Sequence, residues 1–483
     1  MRSNDPRREQ HGSVLYATSM KEKDMNKRHS DVKGRDFDVV VLGGGPGGLS
    51  FSKNAANFGA KVALIEMNKL GGTCLNLGCV PKKLCYLFST LAEQLHDLPH
   101  YGMDVTLNKI DWATFKTKRD QFISKMNQLY TDGISELKIA YFHGVAKFVD
   151  ATHVEVLGHV LTARKFVIAT GTQPNVPADV QGTENGITSD EFFDMESVPR
   201  KCVVIGGGYV AMELVTILNA FNSKVITLVR SDRLLKNFDH MIGDIMKDIL
   251  QDSNITVMLN TRITQIIEDE KNTKSVLLHN GNMIDGVDCI IWATGRVPRK
   301  NLGLDKTGVR TNQLGFIQVD DYQNTSVKNI YALGDVCGRY ALTPVAIAAG
   351  TKLARRLFGD NPSAKVDYTT IPTVIFTNPP IASVGLSERE AFSEYGRDNI
   401  RVYKKEFIPL YYAVMETKPL AHMKLVCLRG GGEKILGLHI IGMHADEVLQ
   451  GFSVAIKIGL TKKQLDDAIS VHPTIAEEIL SIK

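Results

Sequence analysis

Apolar residues in this chain gather into short β-branched runs, each closed by glycine and followed by helical spacing. Phe37-Asp38-Val39-Val40-Val41-Leu42 is short and almost wholly apolar, the pattern of a buried strand. Gly43-Gly44-Gly45-Pro46-Gly47-Gly48 comes next, then a helical stretch to Phe58, then a second strand over 61–65 ending at Glu66. The same order returns further on. Cys202-Val203-Val204-Ile205 predicts a strand, Gly206-Gly207-Gly208-Tyr209-Val210-Ala211 a turn, 212–221 a helix and 224–229 the next strand. Two more runs, 166–168 and 290–292, end alike at Ala169-Thr170-Gly171 and Ala293-Thr294-Gly295. A strand through 330–333 delivers Asp335, and 342–357 reads as a helix pointing to the same place. Residues 84–97 and 111–138 also carry helical spacing, the latter with Tyr130. Beyond Tyr368 the spacing changes to strands at 373–376, 423–427 and 435–441 with helices at 447–458 and 462–469, an antiparallel α+β pattern.

The glycines at 43, 45 and 48 lie between a strand and a helix, and Glu66 arrives about twenty residues on, where a ribose hydroxyl needs an acceptor. Glycine suits that turn because the backbone must approach a pyrophosphate resting on the helix N-terminus. Two such fingerprints predict two dinucleotides. The second lacks the acid and offers Arg230 and Lys236 instead, which would neutralise a 2′-phosphate, so that site is expected to prefer NADPH over NADH. Asp335, at the carboxyl end of its strand, is placed to hold a cofactor's sugar-like chain.

A third pattern is chemical. Leu70-Gly71-Gly72-Thr73-Cys74-Leu75-Asn76-Leu77-Gly78-Cys79-Val80-Pro81-Lys82-Lys83 sets two thiols five residues apart. A helix starting near Cys74, with a distorted first turn, would bring them to disulfide distance, while its N-terminus and the lysines favour a thiolate. Half a zinc site is the weaker reading, because no second cysteine pair with metal spacing exists, and no metal is expected. The remaining cysteines sit mostly in apolar runs and read as small core residues. Near the end, Val471-His472-Pro473-Thr474-Ile475-Ala476-Glu477-Glu478 offers an acid–base pair in His472 and Glu477, though such a histidine alone is more often structural.

A length of 483 residues exceeds one ordinary core and predicts two or three domains. A net charge of +4 argues for no nucleic-acid partner. No apolar run reaches the roughly 20 residues of a bilayer span, so no membrane association is expected. Residues 1–35 are polar and mix both charges without an apolar block, which reads as a disordered extension and leaves a cytoplasmic address as the default.

Together the two glycine fingerprints, the Cys-x4-Cys and the terminal His-Pro-Thr-x-x-Glu resemble the pyridine nucleotide–disulfide oxidoreductase family, from about residue 37 to the end. The cysteine stretch and Leu342-Thr343-Pro344-Val345-Ala346-Ile347-Ala348-Ala349-Gly350 are most similar to the glutathione-reducing branch. The resemblance implies an α/β fold with two Rossmann-like units, the second inserted in the first, and a C-terminal α+β dimerisation unit. The implied boundaries are 36–172 with 300–367 for FAD, 173–299 for NADPH and 368–483 for a homodimer interface. It also implies a relay in which NADPH, under a lid formed by Tyr209, reduces FAD, and electrons pass on to a Cys74–Cys79 disulfide. Cys79 would be the flavin-proximal thiol and Cys74 the thiol that attacks substrate. Lys82 paired with Glu213 would sit by the reactive flavin nitrogen, with Lys83 adjacent and the choice between the lysines open. His472, oriented by Glu477 and supplied by the partner subunit, would move protons to and from Cys74.

FAD is then expected on Gly43, Gly45, Pro46, Gly47, Gly48, Glu66, Thr73, Lys82, Lys83, Ala146, Thr170, Gly171, Asp335 and Thr343. NADPH is expected on Gly206, Gly207, Gly208, Tyr209, Val210, Glu213, Arg230, Lys236 and Gly295. Ser50, Lys53 and Tyr130 would line the substrate cleft. Glutathione disulfide is the favoured substrate, but Thr351 stands where such reductases usually carry arginine, and Lys53 keeps the charge of another arginine without its bidentate fork. Pro46 replaces a usual serine, as in lipoamide dehydrogenases. The rival readings are dihydrolipoamide dehydrogenase, a reductase for trypanothione-like or thioredoxin-like disulfides, and a flavoprotein scaffold without chemistry.

Overall fold

The computed structural model describes residues 36–483, so the expected disordered extension lies outside the described residues. Strand β1 (Asp36–Leu42) occupies the middle of a seven-stranded sheet, flanked in parallel by β2 (Val62–Glu66) and β6 (His159–Ile168). β3 (Ala140–His143) extends the parallel part beyond β2, and Ile330–Ala332 adds in parallel along the far end of β6. β4 (Lys147–Asp150) and β5 (His153–Val156) form an antiparallel meander with the near end of β6. Val39, Val40, Val41 and Leu42 are fully buried, which explains the unbroken apolar run of β1: both sheet faces are covered. In such a sheet, ligands gather at the carboxyl ends beside the strand where the order reverses, here β1.

Two helices meet over that end. Pro46–Asn57 follows β1, and Thr343–Phe358 follows Ile330–Ala332. Their backbones approach so closely that a Cβ on Gly350 would lie 2.4 Å from the Gly47 carbonyl oxygen. Glycine at that crossing lets both helix N-termini open on one cavity.

A second sheet repeats the plan with five parallel strands in the order Thr256–Met258, Lys224–Leu228, Lys201–Ile205, Cys289–Trp292 and Ile187–Thr188. Its helix, Tyr209–Ala220, is buried along nearly its whole length. The chain leaves for this second sheet and returns through a two-stranded ribbon, Thr172–Pro174 against Arg296–Pro298. The third sheet is antiparallel, in the order Thr373–Ile375, Ile381–Gly385, Ile435–Ile441, Ala421–Leu428 and Ile400–Phe407. A three-stranded antiparallel sheet, Ile263–Glu268 with Lys274–Leu278 and Met283–Val287, covers the second parallel sheet and was not signalled by the apolar pattern. Among the described residues, no helix is long and apolar enough to cross a membrane.

Candidate active site

The cysteine stretch does not form one helix. Gly72–Asn76 makes a short first helix carrying Cys74, the chain breaks at Leu77 and Gly78, and Cys79 opens a second helix, Cys79–Asp97. Gly78, with φ −154° and ψ −115°, takes the break that a continuous helix does not allow. The break replaces the distorted first turn expected from spacing and achieves the same end. The two thiols are free. The neighbouring Cys74 thiol, with the Thr343 hydroxyl 3.5 Å away and the Lys82 ammonium nearby, lowers the Cys79 thiol to about 6 against its burial. Cys79 and burial push the Cys74 thiol up in turn. The two titrate as a pair, and the arrangement favours the thiolate at Cys79.

Both cysteines border a cavity of about 1320 Å³, larger than the roughly 300–1,000 Å³ typical of a small-molecule site. It is lined from all three units: Gly43, Gly45, Pro46, Gly47, Glu66, Thr73, Ala146, Thr170, Gly171, Asp335 and Thr343 from the first, Tyr209, Val210 and Glu213 from the second, and Thr373, Val374 and Phe376 from the third. Glu66 accepts from the amides of Gly44 and Asn68, each at 2.7 Å, which fixes its carboxylate at the end of β2. Burial raises the pKa of Asp335. Burial, then the Glu213 charge, holds the Tyr209 phenol up at about 12, so it stays neutral.

Three observations show that the lining suits a long phosphorylated cofactor. A Cβ on Gly45 would meet nothing closer than 3.9 Å, and one on Gly208 would meet nothing within 4 Å, so both turns face open space. Each of these glycines caps a helix with no side-chain partner, leaving amide N–H groups for a phosphate. Thr170 Oγ1 is buried in the wall without a hydrogen-bond partner. Gly48 does not line the cavity; its missing side chain instead admits the Gly43 carbonyl oxygen, 1.9 Å from where a Cβ would stand.

Lys82 reaches the cavity and bonds Glu213 Oε1 at 2.6 Å, joining the first unit to the second. Lys83 turns elsewhere, to Asp446 Oδ2 at 2.9 Å and the Tyr86 ring. The expectation that Lys83 holds the cofactor is thus corrected: consecutive helical residues diverge by about 100°, so only one of the pair can face the cavity.

Other expected residues lie off this cavity. Gly206 and Gly207 form the second turn with Gly208, and Gly295 ends the neighbouring segment. Arg230 and Lys236 are exposed. Lys53 Nζ stands 5.3 Å from the centre of the Tyr130 ring, and Ser50 Oγ shares a 2.8 Å hydrogen bond with Thr351 Oγ1, which gathers the expected substrate residues on two helices. His472 and Glu477 are paired, Nδ1 to Oε2 at 3.0 Å, but stand apart from Cys74 within one chain. His472 is 78% exposed, whereas Glu477 is fixed by the Thr474 amide at 3.0 Å.

Arg296 was missed as a site residue. It lines the cavity and bonds Asp190 at 2.7 Å and the Thr172 carbonyl at 3.1 Å. Its place directly after the second Ala-Thr-Gly, at a strand's carboxyl end, was the available signal.

Comparison with known proteins agrees with this geometry. Residues 37–350 match the family model described as pyridine nucleotide-disulphide oxidoreductase, and residues 371–481 match that family's dimerisation domain. A glutathione reductase of Yarrowia lipolytica is 40% identical over 466 residues, covering 92% of this chain and 99% of the relative. The chain therefore belongs to the pyridine nucleotide-disulphide oxidoreductase family.

Proposed function

We propose that this protein is an NADPH-dependent FAD disulfide reductase, that glutathione disulfide is its preferred substrate, and that it works as a homodimer. The observation that carries the reading is the placement of Cys74 and Cys79 together on the wall of one cavity with Lys82 and Tyr209, the Cys79 sulfur 3.5 Å from the Thr343 hydroxyl. When bound, the flavin supplies two-electron exchange between a nicotinamide and the thiol pair.

The chain's own residues divide the remaining work. FAD is assigned to the unit at 36–172 and 300–367, with Glu66 for ribose, the Gly45 turn for pyrophosphate, and Asp335 with the Thr343 helix terminus for the distal end. NADPH is assigned to 173–299, with the Gly208 turn for its pyrophosphate and Arg230 and Lys236 for the 2′-phosphate. Cys74 attacks the substrate disulfide once it gives up its proton, and the leaving thiolate needs one in return. His472, with Nδ1 held by Glu477, leaves Nε2 free for both transfers. His472 is assigned to the active site of a neighbouring subunit, supplied by 368–483; in support, it is 78% exposed and does not line the cavity that its own Cys74 borders.

The test is NADPH oxidation with glutathione disulfide, trypanothione disulfide, lipoamide and thioredoxin compared under one condition. Fastest turnover with glutathione disulfide supports the substrate; preference for lipoamide with NAD would replace it by the dehydrogenase reading.

A further inference from the structure

We propose that Cys202 and Cys289 form a second oxidisable dithiol, an intramolecular disulfide site addressed by hydroperoxides and separate from Cys74 and Cys79. The two residues are register partners on neighbouring parallel strands, Lys201–Ile205 and Cys289–Trp292. Neighbouring strands run about 4.8 Å apart, and register partners project to the same sheet face. That spacing lies inside the roughly 4.4–6.8 Å Cα window of a disulfide. Their shared face is confirmed by the alternate residues Val204 and Ile291, which pack in the same apolar cluster as Cys202.

The pair is also polarised. Cys202 is fully buried, while Cys289 is half-buried at the start of its strand. Cys289 and burial push the Cys202 thiol well up, while Cys202 and then the Lys274 ammonium lower the Cys289 thiol against its own burial. A reachable thiolate backed by a buried thiol is the arrangement of an attacking and a resolving cysteine.

The chemistry balances without help from the active site. The Cys289 thiolate attacks a hydroperoxide oxygen, the O–O bond breaks, and an alcohol leaves with one proton, giving a sulfenic acid. Cys202 then attacks that sulfur, water leaves, and the S–S bond forms. Two thiols lose two electrons to one hydroperoxide, which becomes an alcohol and water.

The full-length protein with its cofactor bound would be treated with stoichiometric cumene hydroperoxide while flavin absorbance reports that it remains folded. Free thiols are then alkylated, the protein is digested without reductant, and its peptides are weighed. The expected result is a Cys202–Cys289 linked peptide pair, two hydrogens lighter than the free peptides and released by dithiothreitol. In Cys202→Ser, oxidation should stop at a Cys289 sulfenic acid that dimedone captures, with disulfide reductase turnover unchanged. Complete alkylation of both cysteines in wild type, or no dimedone adduct at Cys289 in the variant, would overturn the proposal.

Discussion

Lys82 Nζ lies 2.6 Å from Glu213 Oε1, and the same oxygen accepts from the Phe376 amide at 2.9 Å. One carboxylate thereby joins the cysteine helix, the second fingerprint helix and the antiparallel unit. Removing one partner of a buried ion pair strands the other charge and costs about 3–5 kcal/mol. Glu213→Ala is expected to lose roughly that much stability, read from denaturant midpoints, and to slow flavin reduction by NADPH. The double variant Lys82→Met with Glu213→Leu should regain most of the stability but not the rate. Recovery of both would make the pair structural only.

The Cys79 sulfur sets a pH window. Its pKa is lowered from the ordinary thiol range to about 6 by Cys74, Thr343 and Lys82, so it is a thiolate above that value and protonates as pH falls through it. A thiolate beside an oxidised flavin gives a red-shifted charge-transfer band. In two-electron-reduced protein this band should be constant from neutral to alkaline pH and fade near pH 6. Cys79→Ser should abolish it, and persistence of the band in that variant would contradict the assignment.

On the proposed reading, pyridine-nucleotide choice is expected to depend on two exposed cations, Arg230 and Lys236. Each charged hydrogen bond to a phosphate contributes about 1.5–3 kcal/mol, roughly tenfold to a hundredfold in binding. Arg230→Ala and Lys236→Ala should each raise the KM for NADPH within that range while leaving the KM for NADH nearly constant. Salt should weaken NADPH binding in wild type more than in either variant. An equal rise for both nucleotides would place the two residues outside phosphate recognition.

The proton-transfer role proposed for His472 and Glu477 predicts a separation of the two half-reactions. General acid–base groups contribute about 10²–10⁴-fold, so His472→Ala should suppress turnover with disulfide by that order while flavin reduction in stopped flow is spared. Glu477→Gln should cost less, because it removes the orienting charge but keeps the imidazole. The Thr474 amide, then His472, hold the Glu477 pKa below its ordinary value, so the carboxylate persists as pH falls through the usual carboxylate range. Activity lost on acidification through that range is therefore not expected to come from protonation of Glu477, and a profile unchanged in Glu477→Gln would remove the orienting role.

What the sequence disclosed and what it hid follow from how local each determinant is. The two fingerprints were legible because a strand buried on both faces leaves an unbroken apolar run, as over Val39–Leu42, and a tight turn demands glycine. The strands Ile400–Phe407 and Met283–Val287 were not, because each is partly exposed and mixes Lys404 and Lys405, or Asp285, with apolar residues. The orientation of Lys82 against Lys83 could not be read until the helix start was fixed at Cys79, since one residue of phase exchanges which lysine faces the cavity. Arg296 escaped because its role is set by Asp190 and Thr172, distant in sequence.

The substrate cleft supplies the last prediction. Ser50 Oγ and Thr351 Oγ1 are hydrogen-bonded at 2.8 Å, either serving as donor, and each lies within hydrogen-bonding reach of the Ile347 carbonyl, at 3.1 and 3.0 Å. Two hydroxyls thus satisfy one another and one carbonyl at a place where a carboxylate-bearing disulfide would need a cation. Lys53, one helical turn from Ser50, is a point charge lying over the Tyr130 ring, 5.3 Å from its centre. Thr351→Arg frees Ser50 and offers a planar fork for a carboxylate. It should lower the KM for glutathione disulfide by about tenfold, the equivalent of one charged hydrogen bond, with little change in the KM for NADPH. Lys53→Arg should act in the same direction, and the two together should exceed either alone because they lie on different helices. If neither variant favours glutathione disulfide while lipoamide turnover rises, the native cleft is built for a neutral disulfide, and the Ser50–Thr351 bond is the feature that excludes the charged one.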